Sequence, residues 1–200
     1  MGKRILCLAL AASLICAAAL GLRLRLEQQR LAAGMIRLHV VANSDTPEDQ
    51  RVKLQVRDAV LPVIGALTAK AKDAPAAAAA LRQGSGEIAA AARAALAAEG
   101  CGDPVRVSLE RERFPRRDYD TFSLPAGPYT ALRVTLGTGE GHNWWCVAFP
   151  ALCLPATAEG FEDVAAAAGL DDGQITLVTS DDETVRVKFR ILEWIEAIFG

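Results

Sequence analysis

Between Ile5 and Leu22 the chain runs 18 residues without a charge, behind Met1-Gly-Lys-Arg and ahead of Arg23, Arg25 and Arg30. An apolar helix of that length sits at the lower edge of what can cross a bilayer. A short basic start, an apolar stretch and small residues (Ala17, Ala18, Ala19, Gly21) also make the pattern of an export signal. Residues 1–22 are therefore read as a signal peptide or a signal anchor. A buried core helix is disfavoured because nothing charged interrupts the run. Basic residues flank both ends, so the positive-inside rule selects no orientation. Neither Cys7 nor Cys16 resembles a lipid-attachment site, since each follows a bulky apolar residue.

The remainder divides into a short charged linker, residues 23–34, and one domain, residues 35–200, long enough to bury a sizeable core. With Lys3 and Arg4 set aside, 20 Lys and Arg face 24 Asp and Glu. That balance argues against a nucleic-acid surface, which needs clustered basic residues.

Strand and helix signals alternate along the domain. Ile36, Leu38, Val40 and Ala42 alternate with Arg37, His39 and Val41, the period of a half-buried strand. Asn43-Ser-Asp-Thr-Pro-Glu-Asp stops it and starts a helix, with Thr46 as cap and Pro47 at the first position. Val52, Val56, Val60, Val63 and Leu67 form its apolar face. Arg51, Lys53, Gln55 and Asp58 look outward, and Pro62 is expected to kink it. Residues 74–99 are mostly alanine, broken at Gly84-Ser-Gly86, and predict a second helix over about 86–98 that packs closely and carries no chemistry. Two alternating stretches, Val105–Glu110 and Leu132–Leu136, read as strands. A short strand is expected at Ile175–Thr179 and a closing helix from Val185 to Phe199. The order predicts an α+β fold: a small, mostly antiparallel sheet with helices on one face, behind the N-terminal export signal or anchor helix.

The densest segment is Gly141-His-Asn-Trp-Trp-Cys-Val-Ala-Phe-Pro-Ala-Leu-Cys153, which holds two of the chain's three tryptophans and two of its five cysteines. Bounded by Gly141 and Pro150, it reads as a loop of defined shape, either a structural staple or a contact surface. Cys146 and Cys153 are the natural disulfide pair in an exported chain, with two buried free thiols as the alternative. His142 and Cys146 could instead make a nucleophilic pair. A zinc site from His39, His142, Cys146 and Cys153 matches no standard spacing. Asp45, Glu48 and Asp49 are more simply helix caps and dipole partners than a cation site. No phosphate-binding glycine loop or serine elbow is present. No cofactor, metal or catalytic residue is assigned.

Three motifs nevertheless resemble the stage II sporulation protein R family. They are Ile36-Arg-Leu-His-Val-Val-Ala-Asn-Ser-Asp45 with Glu48-Asp-Gln50, Lys53 and Val56–Val60; Leu124-Pro-Ala-Gly127 with Tyr129, Ala131–Val134 and Gly137; and Asn143-Trp-Trp-Cys-Val147, Phe149-Pro150, Leu152-Cys153. The last is the most specific. Together they cover most of residues 35–155, in the family's order. Ala151 departs, where the family usually shows a second proline.

The resemblance implies an exported signalling protein of endospore-forming bacteria, acting in the space between forespore and mother cell. Its implied partner is the membrane-embedded aspartyl protease that removes the pro-sequence of sigma-E. In that picture the chain is an activator and not an enzyme, touching the membrane only through its N-terminal segment. Trp144, Trp145, Asn143, Arg37, Asn43, Asp45 and Arg57 are the candidate partner contacts, with the Trp pair covering one end of the sheet as the structural alternative. The rival reading is an exported hydrolase acting on cell wall or peptide through Cys146 and His142.

Overall fold

The computed structural model describes residues 2–119, 122–151, 165–166 and 169–179. Helix α1 (Gly2–Ala33) opens the chain, and its apolar side chains, among them Ile5, Leu6, Leu8 and Ile15, are exposed. It is long and apolar enough to cross a membrane. It also runs straight through residues 23–33, so the expected linker is helix. The composition explains why: leucine, glutamine, glutamate and arginine are strong helix formers, and Arg23 pairs with Glu27 one turn on at 3.0 Å. Gln28, Leu31 and Ala32 are buried against the domain.

Only Gly34 and Met35 separate α1 from strand β1 (Ile36–Val41). Then come helices α2 (Pro47–Thr68), α3 (Ala74–Gln83) and α4 (Ser85–Ala98). Strand β2 (Val105–Phe114), the short β3 (Arg117–Asp118) and β4 (Ser123–Leu124), β5 (Gly127–Leu136), β6 (Asn143–Phe149) and helix α5 (Asp172–Thr179) follow. The main sheet has the order β2-β5-β1-β6. β1 and β5 are parallel, as the long crossover through three helices permits, and the other two pairings are antiparallel. The fold class is thus α+β with a small, mostly antiparallel sheet.

One face of the sheet carries Leu38, Val40, Leu132, Val134, Leu136, Cys146 and Ala148. They pack on Val52, Val56, Val60 and Ile64 of α2 and on Ile88, Ala92 and Leu96 of α4. Thr46 caps α2 by accepting from the Asp49 amide at 3.2 Å. Pro62 lies inside α2 on its exposed side, and the helix continues to Thr68. The alanine-rich segment is two helices: Asp73 caps α3 through the Ala76 amide, and Gly84 separates it from α4.

Three other expectations are corrected. The Trp-Trp segment is not a loop but the strand β6, hydrogen-bonded along β1. Residues 175–179 lie in α5 and not in a strand. Asp171 caps the Gln174 amide at 2.8 Å, and Ile175 and Val178, one turn apart, are buried. Local capping and burial override their β-branched character. Finally, β1 is buried on both faces, Arg37 and His39 included, because it is a central strand. Cys153 and the closing helix at 185–199 lie outside the described residues.

Candidate partner-contact site

The strand period decides which candidates can act together. On β6, Trp144 faces the side of Val40 and Trp145 the side of His39. The two tryptophans therefore project from opposite faces of the sheet and cannot form one aromatic anchor.

Trp144 is half-buried against the helical core, with the Arg57 guanidinium of α2 over its ring at 5.1 Å. Leu54 lies one turn before Arg57. Among the described residues it is the exposed large apolar side chain that does not belong to α1. Trp144, Arg57 and Leu54 thus make a mixed apolar and cationic patch of the kind that anchors interfaces.

Beside this patch, the loop after β1 meets the loop before β6. Asn43 holds the second loop, accepting from the Thr138 amide at 3.0 Å while its own amide donates to Asp49 at 3.1 Å. Asp45 accepts from the His142 amide at 2.6 Å and also pairs with the His142 ring. Those two hydrogen bonds hold the exposed Asp45 carboxyl below its ordinary range. Asp49 is held down likewise, first by the Ser44 hydroxyl at 2.5 Å. Lys53 was expected outward, yet it is buried and donates to the Gln50 side chain and to the His142 carbonyl at 3.0 Å. Burial lowers its pKa. The motif Asn43-Ser-Asp45 is thus a loop clamp, with Asp45 and His142 at its surface.

Arg37, Trp145 and Asn143 belong to the opposite face. Arg37 is fully buried, 4.3 Å over the Phe114 ring and 5.2 Å from that of Tyr129, and donates to the Tyr119 hydroxyl at 2.9 Å. Its Nε and Nη1 have no partner, and burial lowers its pKa. Trp145 packs on His39 and Phe114 with Arg117 over its ring. Asn143 stands opposite Val41, its Oδ1 buried and unsatisfied. Of the seven candidates, Arg37 is buried and Asp45 exposed, while Trp144, Trp145, Arg57, Asn43 and Asn143 are half-buried; Trp144 and Arg57 share the face of the exposed Leu54.

His39 is a buried group that sequence alone left undefined. Desolvation, then Arg133 and Arg37, push its pKa down to about 3. Glu112 is 3.2 Å away but is engaged by Arg133 at 2.6 Å. A folded-state pKa below the ordinary 6.5 means that protonation favours the unfolded chain. Stability is full above pH 6.5 and is lost as pH falls toward 3. At pH 5 the expected loss is about 2 kcal/mol, at about 1.4 kcal/mol per unit. Urea unfolding at pH 7 and pH 5 checks this, and His39→Phe should remove that share of the difference.

The hydrolase pair is not assembled. His142 is exposed and held by Asp45, whereas Cys146 is buried in the sheet. Four residues of extended chain separate their Cα atoms by about 13 Å. Among the described residues the free thiols are Cys7, Cys16 and Cys101. The expected pairing of Cys146 falls on Cys153, outside the described residues. No group of three or more His, Cys, Asp or Glu able to hold a metal occurs among the described residues.

Comparison with known proteins agrees with the motifs. Residues 32–159 match the family model described as stage II sporulation protein R. The chain is 33% identical over 182 residues to the stage II sporulation protein R of Bacillus subtilis (strain 168), covering 82% of this chain and 81% of that protein. No solved structure matches it.

Proposed function

We propose that this chain, which belongs to the stage II sporulation protein R family, is an exported signal that activates the membrane-embedded aspartyl protease processing pro-sigma-E. It would act from the space between forespore and mother cell, delivered there by α1 as a cleaved signal or a retained anchor. The family match over residues 32–159 carries this reading. Behind it stand the apolar α1 and the accessible Trp144–Arg57 patch.

Activation requires binding one state of the protease better than another. Moving it from about 1% to 99% active takes roughly 5.5 kcal/mol of differential affinity. Interface anchors rich in tryptophan and arginine supply about 2–4 kcal/mol each. Trp144 and Arg57, with Asp45 at the adjoining loop, form the contact in this proposal. Arg37 and Trp145, on the opposite face of the sheet, are not part of it. A Cys146–Cys153 bond would fasten the end of β6 behind it.

The test is co-expression with the protease and pro-sigma-E in a non-sporulating host, scoring pro-sequence removal. Cleavage should depend on this chain and survive Cys146→Ala if the fold holds. Trp144→Ala and Arg57→Glu should each lower it at least about tenfold, as loss of an interface anchor does. Full cleavage with both variants, each shown folded by circular dichroism, would place the contact elsewhere. No cleavage with the folded parent chain would reject the activator role.

A further inference from the structure

The sheet ends at β2. Among the described residues no strand pairs with its outer side, so a ten-residue edge is open. Such edges invite another strand, and proteins commonly blunt them with proline, a bulge or repelling charge. Here the register with β5 runs without a bulge from Val105 to Phe114, and the charges alternate in sign.

Two features describe what would fit this edge. On the helix-covered face, Val105, Val107 and Leu109 are only half-buried, although their same-face neighbours Leu132, Val134 and Leu136 on β5 are buried. On the other face, Arg106 and Glu110 are exposed and without an ion pair among the described residues. They stand two residues to either side of Ser108.

We propose that β2 pairs antiparallel with β2 of a second copy of this chain, about a two-fold axis at Ser108. The two four-stranded sheets then become one. In this register Arg106 faces Glu110 of the second copy, and Glu110 faces its Arg106. Val107 faces Leu109 in the same reciprocal way. Directly opposed residues lie about 4.5–5.5 Å apart, close enough for both kinds of pair to form. An axis at Leu109 would set Arg106 against Glu112, which Arg133 already holds at 2.6 Å. An axis at Glu110 would oppose two glutamates. Only the Ser108 register among these pairs the free charges and extends the apolar strip. The contact is isologous and closes at two copies. It does not depend on the signalling role.

The full chain in detergent tests it, with Cys7, Cys16 and Cys101 changed to serine. Ser108→Cys should give a disulfide-linked dimer on mild oxidation, because opposed Cα atoms fall within the span a disulfide requires. Asp58→Cys on α2 should not. By sedimentation equilibrium in density-matched detergent, Arg106→Glu and Glu110→Arg should each weaken self-association at least about tenfold. The double swap should restore it, since each pair is then opposite in sign again. A parent chain that stays monomeric, equal association of all four chains, or linkage at Asp58→Cys but not Ser108→Cys, would overturn the proposal.

Discussion

Arg37→Met is expected to raise the stability of the domain by about 1–3 kcal/mol, as replacing buried charge with apolar volume often does. The wild-type guanidinium is fully buried, with one hydrogen bond, to the Tyr119 hydroxyl, and with Nε and Nη1 unsatisfied. The faces of Phe114 and Tyr129 offset part of that cost. A thioether, though shorter, keeps part of the apolar packing among those rings and removes the desolvated charge. Arg37→Ala removes the packing as well. It should lie about 2–5 kcal/mol below Arg37→Met, the range for truncating a large core side chain. Urea unfolding of the three chains in the same detergent gives the order. If methionine proves clearly less stable than arginine, the ring contacts outweigh the buried charge.

Gly141→Ala is expected to cost about 2–3 kcal/mol, as overpacking against fixed neighbours does. A Cβ there would meet the Ser44 carbonyl carbon at 2.6 Å and the Ala42 Cβ at 2.9 Å. The first of these is backbone, so relief requires the two loops to part. That would loosen the hydrogen bond from the Gly141 amide to the Ala42 carbonyl, now 3.0 Å, and the Asp45–His142 contact beside it. Gly86→Ala makes the contrast. Nothing lies within 4 Å of its Cβ position near the start of α4. It should stabilise by about 0.4–1 kcal/mol, chiefly by restricting the unfolded chain. Equal effects at both glycines would mean that the loop clamp is looser than its contacts indicate.

Much of the domain was legible because one physical rule acted alone. The cap and proline at the start of α2, the second of the two alanine-rich helices and the alternation in β2 and β5 follow from local chemistry. Where two rules competed, the pattern misled. Trp144 and Trp145 are both apolar because each face of β6 is covered there, so the segment shows no alternation and resembled a loop. Arg37 and His39 alternate with apolar residues and looked solvent-facing. They are buried because Phe114, Tyr129 and Trp145 close over them from strands far away in sequence. Lys53 sits on a helix beside outward residues, and only the approach of the His142 carbonyl explains its burial. The candidate contacts were named together, as residues of neighbouring motifs. Their division between two faces depended on strand register, which a sequence does not display.

The direct passage from α1 into β1 has a consequence for reach. Gln28, Leu31 and Ala32 are part of the core, and two residues join helix to strand. Any processing cut that spares the domain must therefore fall before Gln28. If the apolar run instead stays in the bilayer, residues 23–27, ahead of the buried Gln28, form a stiff post of about 8 Å, at about 1.5 Å per residue. A flexible tether would let the domain sample a hemisphere of positions. A post fixes its height above the lipid, so encounter becomes a search in two dimensions.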